Sequence, residues 1–500
     1  MKKSLSFSVT AVVLAFGLII SSCTAQPGTS TVSSAPAPTE TPDAAPTEAP
    51  TEPVPEKGTF RAGFSRVNIT PRESVPLAGY GNTSKRMSID VQTYITLSCI
   101  AVTDEEDNSV LFVTFDVIRC NQKHIENMKK RMSNETGVPV ENIMFTATHT
   151  HASVDDANSM MEVSRWYANI VYPGAVRAAR EAMEDRAPAV MKTADVEIPL
   201  NYIKHYYTAD GIYVSDNHNS SVDSSLLVDH TVPIDNTMHI LRFVREGAKD
   251  ILYTNWRTHV QRSCSSSTKS VSADFVAPYR EAVEEALDCH CAYYQGAAGN
   301  VNPTSRLAEE KAAFTGDYRV YGQEIARYVI ETTDYTDRGT GLIHTSEELY
   351  PGEVDHSKDH LATAASIVRN VFTTTGSAAN AVEAGKQYGI FSAYEAGAII
   401  SRASMGATKE IELHAVTIGT VGFVYGCYEM FNETGVYIEE NSPCDYTLVM
   451  GYSNRQVGYM PSIAACEYGC YEADCTTYVK GTAEICADKL LALLKGNLDR

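Results

Sequence analysis

The sequence predicts an α/β fold: a mixed β-sheet core flanked by helices, in one large domain. Three observations predict it. Apolar runs at Val110–Phe115 and Ile143–Ala147 bracket a polar segment in which Ile125, Met128 and Met132 recur at helical spacing. Strand-rich runs at Met238–Val244 and Ile251–Trp256 are joined across Gly247. A helical segment opening near Pro278, a good first-turn residue, feeds the short strand Cys291–Gln295. The strand, helix, strand order of the first observation favours parallel pairing there.

Residues 1–22 read as an export signal. Lys2 and Lys3 precede an apolar run from about Val9 to Ile20, too short to span a bilayer alone, which takes ~20 apolar residues. Ile20-Ser21-Ser22-Cys23 resembles a lipobox, which makes Cys23 the lipidation site and anchors the chain on the extracytoplasmic face of the membrane. Residues 23–58 form a disordered tether holding 8 of the 20 prolines among Thr, Ala, Ser and Glu. Residues 59–500 are left as the folded domain. That exceeds the ~250–300 residues at which one core usually stops growing, yet it reads as one large unit.

The formal charge is −21, or −23 without Lys2 and Lys3; the tether accounts for −4 of this, so the folded part is itself acidic. Such a surface repels nucleic acid, and no basic, aromatic-laced stretch argues otherwise. Eleven cysteines follow Cys23, so at least one thiol is unpaired in the monomer. Cys466, Cys470, Cys475 and Cys486 lack the paired short spacings of a zinc knot and read as buried thiols or one disulfide.

Taken in order, Phe60 to Gly81 reads as loop from its Gly and Pro density, and Ile95–Val102 as a strand. Val163–Asp185 reads as a long helix interrupted near Pro173-Gly174, and Ala194–Pro199 as a strand. From Tyr202 to Asp235 the chain is polar, and His205, His218 and His230 there read as solvated. Glu353–His360 reads as a helix start with His356 and His360 on one face; lacking the Glu of a His-Glu-x-x-His motif, they read as structural. Strands at Glu410–Ile418, Val421–Tyr425 and Tyr446–Gly451 and a helix from Thr477 to Leu494 complete the chain.

Chemistry concentrates where strands end. Ile143–Ala147 runs into Thr148-His149-Thr150-His151, and alternation along an extended chain would put both imidazoles on one face. Ile251–Trp256 runs into Thr258-His259. The strand Val421–Tyr425 runs into Gly426-Cys427-Tyr428-Glu429-Met430-Phe431, and Asn454 precedes Tyr459 by five positions. Gly296-Ala297-Ala298-Gly299-Asn300-Val301-Asn302-Pro303 is a loop of small residues that lets backbone approach a ligand. Ser266-Ser267-Thr268-Lys269 and Ser215-Asp216-Asn217 fit elements of serine acyl-enzymes, but in the wrong order.

Together these strand ends resemble the neutral ceramidase family of zinc amidohydrolases, over about Ala62 to Leu494. The resemblance implies one Zn2+ per chain, held by His149, His259 and Glu429, with Tyr459 both touching the metal and acting in catalysis. It implies that His151 faces the substrate and transfers protons, and that the amides of Gly299, Asn300 and Val301 orient an N-acyl amide or N-acyl lipid such as ceramide. The family's Gly-Asp-Val-Ser-Pro is Gly299-Asn300-Val301-Asn302-Pro303 here, so Asn302 takes the catalytic serine's place. The immunoglobulin-like C-terminal domain of characterised ceramidases has no counterpart in the sequence. The rival class is a non-catalytic surface lipoprotein that binds a ligand or zinc in the same pocket.

Overall fold

The computed structural model describes residues 58–81, 86–215 and 218–500. The export signal, Cys23 and all but the last residue of the tether lie outside them. The main sheet has nine strands: β1 (Arg61–Asn68), β2 (Thr96–Thr103), β3 (Ser109–Phe115), β4 (Ile143–Ala147), β5 (Ala187–Glu197), β6 (Thr237–Arg245), β7 (Ile251–Trp256), β8 (His290–Gln295) and β9 (Thr336–Gly339). Their order is β8-β7-β6-β5-β1-β2-β3-β4, with β9 on β5. Pairing is antiparallel through the middle and parallel at β3·β4 and β7·β8, so the sheet is mixed. A second sheet orders β10 (Ile343–Glu353), β11 (Thr408–Ile418), β12 (Val421–Gly426) and β13 (Tyr446–Met450) consecutively.

The two sheets stack face to face, and the alternation of side chains along each strand shows why. In β3, Val110 and Phe112 point into a cluster shared with Phe423 and Tyr425 of β12 and Leu448 of β13. Leu111, Val113 and Phe115 point the other way, onto the helices Gln122–Thr136 and Tyr172–Glu184. The far face of the second sheet is covered by the closing helix Thr482–Leu498, through Cys486, Leu490 and Leu494. A strand buried on both faces reads as a near-continuous apolar run, as β3 does. Phe112 stacks on Phe423 with ring centroids 4.7 Å apart. Truncating such a core aromatic costs about 3–5 kcal/mol.

The main sheet coils until its ends approach one another. The Thr114 hydroxyl of β3 donates to the Tyr293 carbonyl of β8, and the Tyr294 hydroxyl of β8 donates to the Phe112 carbonyl, at 2.8 and 2.9 Å. The two parallel pairs thereby come side by side with their carboxyl ends together, the usual place for a site in an α/β sheet.

Several local expectations are corrected. Arg61–Asn68 is a buried strand, not loop: its glycine, Gly63, has the Ala182 carbonyl where a Cβ would sit, so Gly63 marks close packing. β5 is longer than expected, from Ala187 to Glu197. The helix of Val163–Asp185 breaks at a π-helical turn, Tyr167–Val171, just before Pro173. The closing helix starts at Thr482, after a left-handed Gly481, instead of Thr477. His356 precedes any helix, its Nδ1 pairing with Asp359 and its Nε2 with the Gly406 carbonyl, while His360 lies exposed in a short 3-10 turn. Of the two alternatives for Cys466, Cys470, Cys475 and Cys486, thiols hold: all four are free, Cys470 and Cys486 buried and the other two half-buried.

Candidate metal centre

β4 ends at Ala147, so strand alternation does not align His149 with His151; a turn does. His149 adopts φ 66°, a left-handed conformation that strains a residue with a Cβ by about 1–3 kcal/mol. It is held there by its amide on the Val117 carbonyl at 2.9 Å and by Nδ1 on the Ile118 carbonyl at 2.6 Å. Tyr452 and Asn454, also at positive φ, brace it: the Tyr452 ring lies 4.2 Å from the imidazole, and the Asn454 side chain accepts from the Phe145 amide. Thr150 bridges Val260 in parallel, which ties the β4 loop to the β7 loop.

His259 follows β7 by three residues. Its Nδ1 donates to the carbonyls of Ala298 and Val301, at 2.8 and 2.9 Å. Glu429 is not at the end of β12 but in a two-residue strand, Glu429–Met430, paired in parallel with Tyr459–Met460 so that Glu429 and Tyr459 are direct partners. Tyr459 is among the neighbours that draw the Glu429 carboxyl down against its burial. Each of the predicted residues His149, His151, His259, Glu429 and Tyr459 is thus brought to one place.

Their geometry selects a cation. With Nδ1 committed to carbonyls, the Nε2 atoms of His149 and His259 carry lone pairs. Glu429 Oε2 lies 3.6 Å from the first and 3.8 Å from the second, buried and without a hydrogen-bond donor. Burying these converging acceptors, of which Glu429 Oε2 has no donor, is costly unless a proton or a positive ion joins them. His151 Nε2 lies 3.2 Å from His149 Nε2, and the three imidazoles offer ligand atoms within 4.8 Å of one another. Burial first, then neighbouring cations and imidazoles, holds His149 and His259 far below the ordinary histidine range, and His151 at about 3. All three are neutral, the ligating form. Burial pushes Glu429 up to about 7 against the opposing pull of Lys204 and Arg119, so an ion would restore its charge. Two imidazoles, a carboxylate and an adjacent tyrosine fit zinc chemistry.

Two other trios of possible ligands, His205 with Cys470 and Glu472, and Asp235 with His239 and Glu439, already hold cations. Lys204 sits 2.7 Å from Glu472, and Arg257 lies 2.8 Å from Asp235 and 2.6 Å from Glu439. His205 is therefore not solvated, as expected from the sequence, but fully buried and hydrogen-bonded to Glu472 at 3.0 Å. His218 and His230 are also largely covered, beside Asp474 and Glu310.

His151, His259 and Tyr459 open onto a cavity of ≈ 190 Å³ that Asn302 also lines. The Asn302 side chain accepts from Gln261 at 2.8 Å. The loop amides are placed differently from the expectation: Gly299 donates to the Met430 carbonyl and Val301 to the Ala298 carbonyl, so neither faces a ligand. Gly299 is required because a Cβ would stand 2.6 Å from the Glu429 carbonyl. The side chain of Asn300 binds the Asn432 amide and Glu433. Gly299 and Asn300 thus frame the ligands, and Asn302 is the loop side chain that reaches the cavity. Ser266 and Lys269 are exposed, away from any constellation, while Ser215 lines the cavity and Asp216 and Asn217 lie outside the described residues. Sequence reasoning missed Lys204, Gln261, Tyr394 and Tyr471 of the cavity wall.

The sequence matches no family model and no curated protein. Among solved structures, the chain is similar to the neutral ceramidase of Pseudomonas aeruginosa at 15% identity and TM-score 0.65, over 89% of this chain and 75% of that one. It is similar to a ceramidase complexed with C2 at 14% identity and TM-score 0.64, over 87% and 75%. The chain therefore has the fold of neutral ceramidase, with a group of candidate metal ligands at the carboxyl ends of its parallel strands.

Proposed function

We propose that the protein is a zinc-dependent hydrolase of N-acyl amide bonds, with ceramide or a related N-acyl lipid as substrate class and one ion per chain. One observation carries the reading: His149 Nε2, His259 Nε2 and the unpaired Glu429 Oε2 converge without a cation beside a cavity that His151 and Tyr459 line. The shared fold supports amide chemistry over other hydrolyses. His149, His259 and Glu429 would hold the ion, with Tyr459 against it. A divalent ion there would polarise the amide carbonyl and acidify a water.

The chain's own residues do the rest. Neutral His151 accepts the proton of the attacking water and delivers it to the amine nitrogen as the C–N bond breaks. The water oxygen ends on the acyl carbon, giving an amine and a carboxylic acid that loses its remaining proton to solvent. The Tyr459 hydroxyl donates to the carbonyl oxygen as its charge grows, and Asn302, held by Gln261, orients the polar part of the substrate. Zinc-loaded protein screened against ceramides, N-acyl amino acids and short amides should turn over at least one of them. The Asn302–Gln261 bond, standing where a hydroxyl is expected, favours one other reading, a non-catalytic lipoprotein with a ligand or zinc in this pocket; zinc bound with no turnover would select it.

The lipobox and tether support anchoring through a lipid on Cys23, on the extracytoplasmic face of the cell membrane. Among the described residues, no helix is long and apolar enough to cross a membrane. Cys23→Ser should release the protein from the membrane fraction or block its processing; unchanged fractionation would refute the anchor.

A further inference from the structure

The cavity beside the metal centre has a lining at odds with an alkyl chain. Its side chains are Tyr, His, Lys, Ser, Gln, Asn and Glu, and no aliphatic side chain faces it among the described residues. Pockets for apolar ligands are lined mainly by hydrophobic and aromatic groups, and here four tyrosines, each with a polar tip, stand among charged and amide side chains. This cavity is suited to a small polar headgroup, so an acyl chain would have to lie outside it.

Its charge is also specific. Lys204 is only 6% exposed and is fixed by the backbone: Tyr202 and Ile203 pair with Asn302 and Val301, and the Lys204 amide donates to the Asn300 carbonyl at 2.9 Å. Its ammonium lies 5.4 Å from the Tyr459 ring and lines the same cavity as His151 and His259. Glu472 neutralises it but uses both oxygens inside the protein, one on Lys204 and one on His205. An ammonium carries three donors, and Glu472 accepts one of them. Behind His151 lies Arg86, 3% exposed, whose guanidinium binds the carbonyls of Ala78, His151 and Thr268 and pairs with no carboxylate among the described residues. Arg86 thus places behind the cavity one positive charge that no carboxylate among the described residues pairs with, inside a chain of net charge −21.

We infer that the amide hydrolysed here carries a carboxylate on its amine side, as an N-acyl amino acid does, and that Lys204 selects it. This rests on the hydrolase reading above and narrows its substrate. With one donor on Glu472, a neutral headgroup offers the ammonium's other donors only uncharged acceptors, whereas a carboxylate offers them the stronger charge-assisted bond. A carboxylate also matches the single uncompensated charge of Arg86 better than a dianion does.

N-hexanoylglycine, N-hexanoylglycinamide and N-hexanoylaminoethyl phosphate, offered to the zinc-loaded full chain, test this, with the affinity of the metal-free chain for each measured by calorimetry. kcat/KM should favour the glycine over the glycinamide by at least about tenfold, the size of one charged hydrogen bond. The ratio should approach one in the double variant Lys204→Met/Glu472→Gln, which removes both partners, and persist in Lys204→Arg. Equal use of acid and amide by wild type, or an unchanged ratio in the double variant, would overturn the inference. Preference for the phosphate would overturn the carboxylate assignment. The wild-type comparison needs no variant, so misfolding of the double variant does not shelter the inference. If no amide, ceramide included, is turned over, the hydrolase reading fails, and calorimetry still decides the selectivity: tighter binding of the glycine supports it and equal affinities refute it.

Discussion

Two buried clusters look alike as lists of residues and differ in one respect. His149, His151 and His259 with Glu429 converge with no cation among them, whereas His205, Cys470 and Glu472 close around the Lys204 ammonium. The consequence shows in the carboxylates. Burial raises Glu429 to about 7, while Lys204 and His205 overcome burial and hold Glu472 far below the ordinary range. A group of potential ligands marks a metal centre when its negative charge is unanswered, not merely when its atoms are close.

Removing Glu472 would break the comparison from the satisfied side. Glu472→Ala strands a buried ammonium, and its unfolding free energy should drop by about 3–5 kcal/mol in a denaturant titration, with metal content unchanged. His151→Ala tests the open side: kcat should fall about 10²–10³-fold while the metal stays bound, since the residue acts on protons and not as a required ligand. Metal loss in that variant would show His151 to be a ligand.

The same contrast predicts a pH dependence. Because Glu429 is protonated below about 7 in the metal-free protein, an ion must displace that proton, and apparent affinity should fall about tenfold per pH unit below 7. The sign for stability without metal is opposite: stability should decline as pH rises from 4.5 through 7, since folding then buries a charge that the unfolded chain exposes. Calorimetry in buffers of different ionisation enthalpy would count the proton; none released at pH 6 would refute the assignment. The smallest effect belongs to Cys470→Ser. Its thiol accepts from the Ala473 amide at a helix start, a role serine fills well, so stability should change by less than about 1 kcal/mol and metal content not at all.

The metal side of the comparison was legible in the sequence because each ligand follows a strong apolar run that stops abruptly. His149 and His259 follow β4 and β7, and Glu429 follows β12. Even so, the reason for their alignment was not legible: a left-handed turn at His149 and a two-residue pairing of Glu429 with Tyr459 do the aligning, and neither leaves a periodic trace. The satisfied cluster was missed for the same cause. Lys204 and His205 lie in a polar, turn-rich stretch, and only the short ladder of Tyr202 and Ile203 against Asn302 and Val301 carries them inward. The α/β class and the parallel pair β3·β4 could be read from element order, but the stacking of two sheets could not, since β3 is apolar at nearly every position and alternation is invisible there.

The central claim is that the open cluster, and not the satisfied one, holds the metal. Metal analysis of wild type, His259→Ala and Glu472→Gln, each purified and zinc-loaded in the same way, tests it most directly. The account predicts one zinc per chain in wild type, close to none in His259→Ala and one in Glu472→Gln. Equal zinc in wild type and His259→Ala, or zinc lost only from Glu472→Gln, would contradict it.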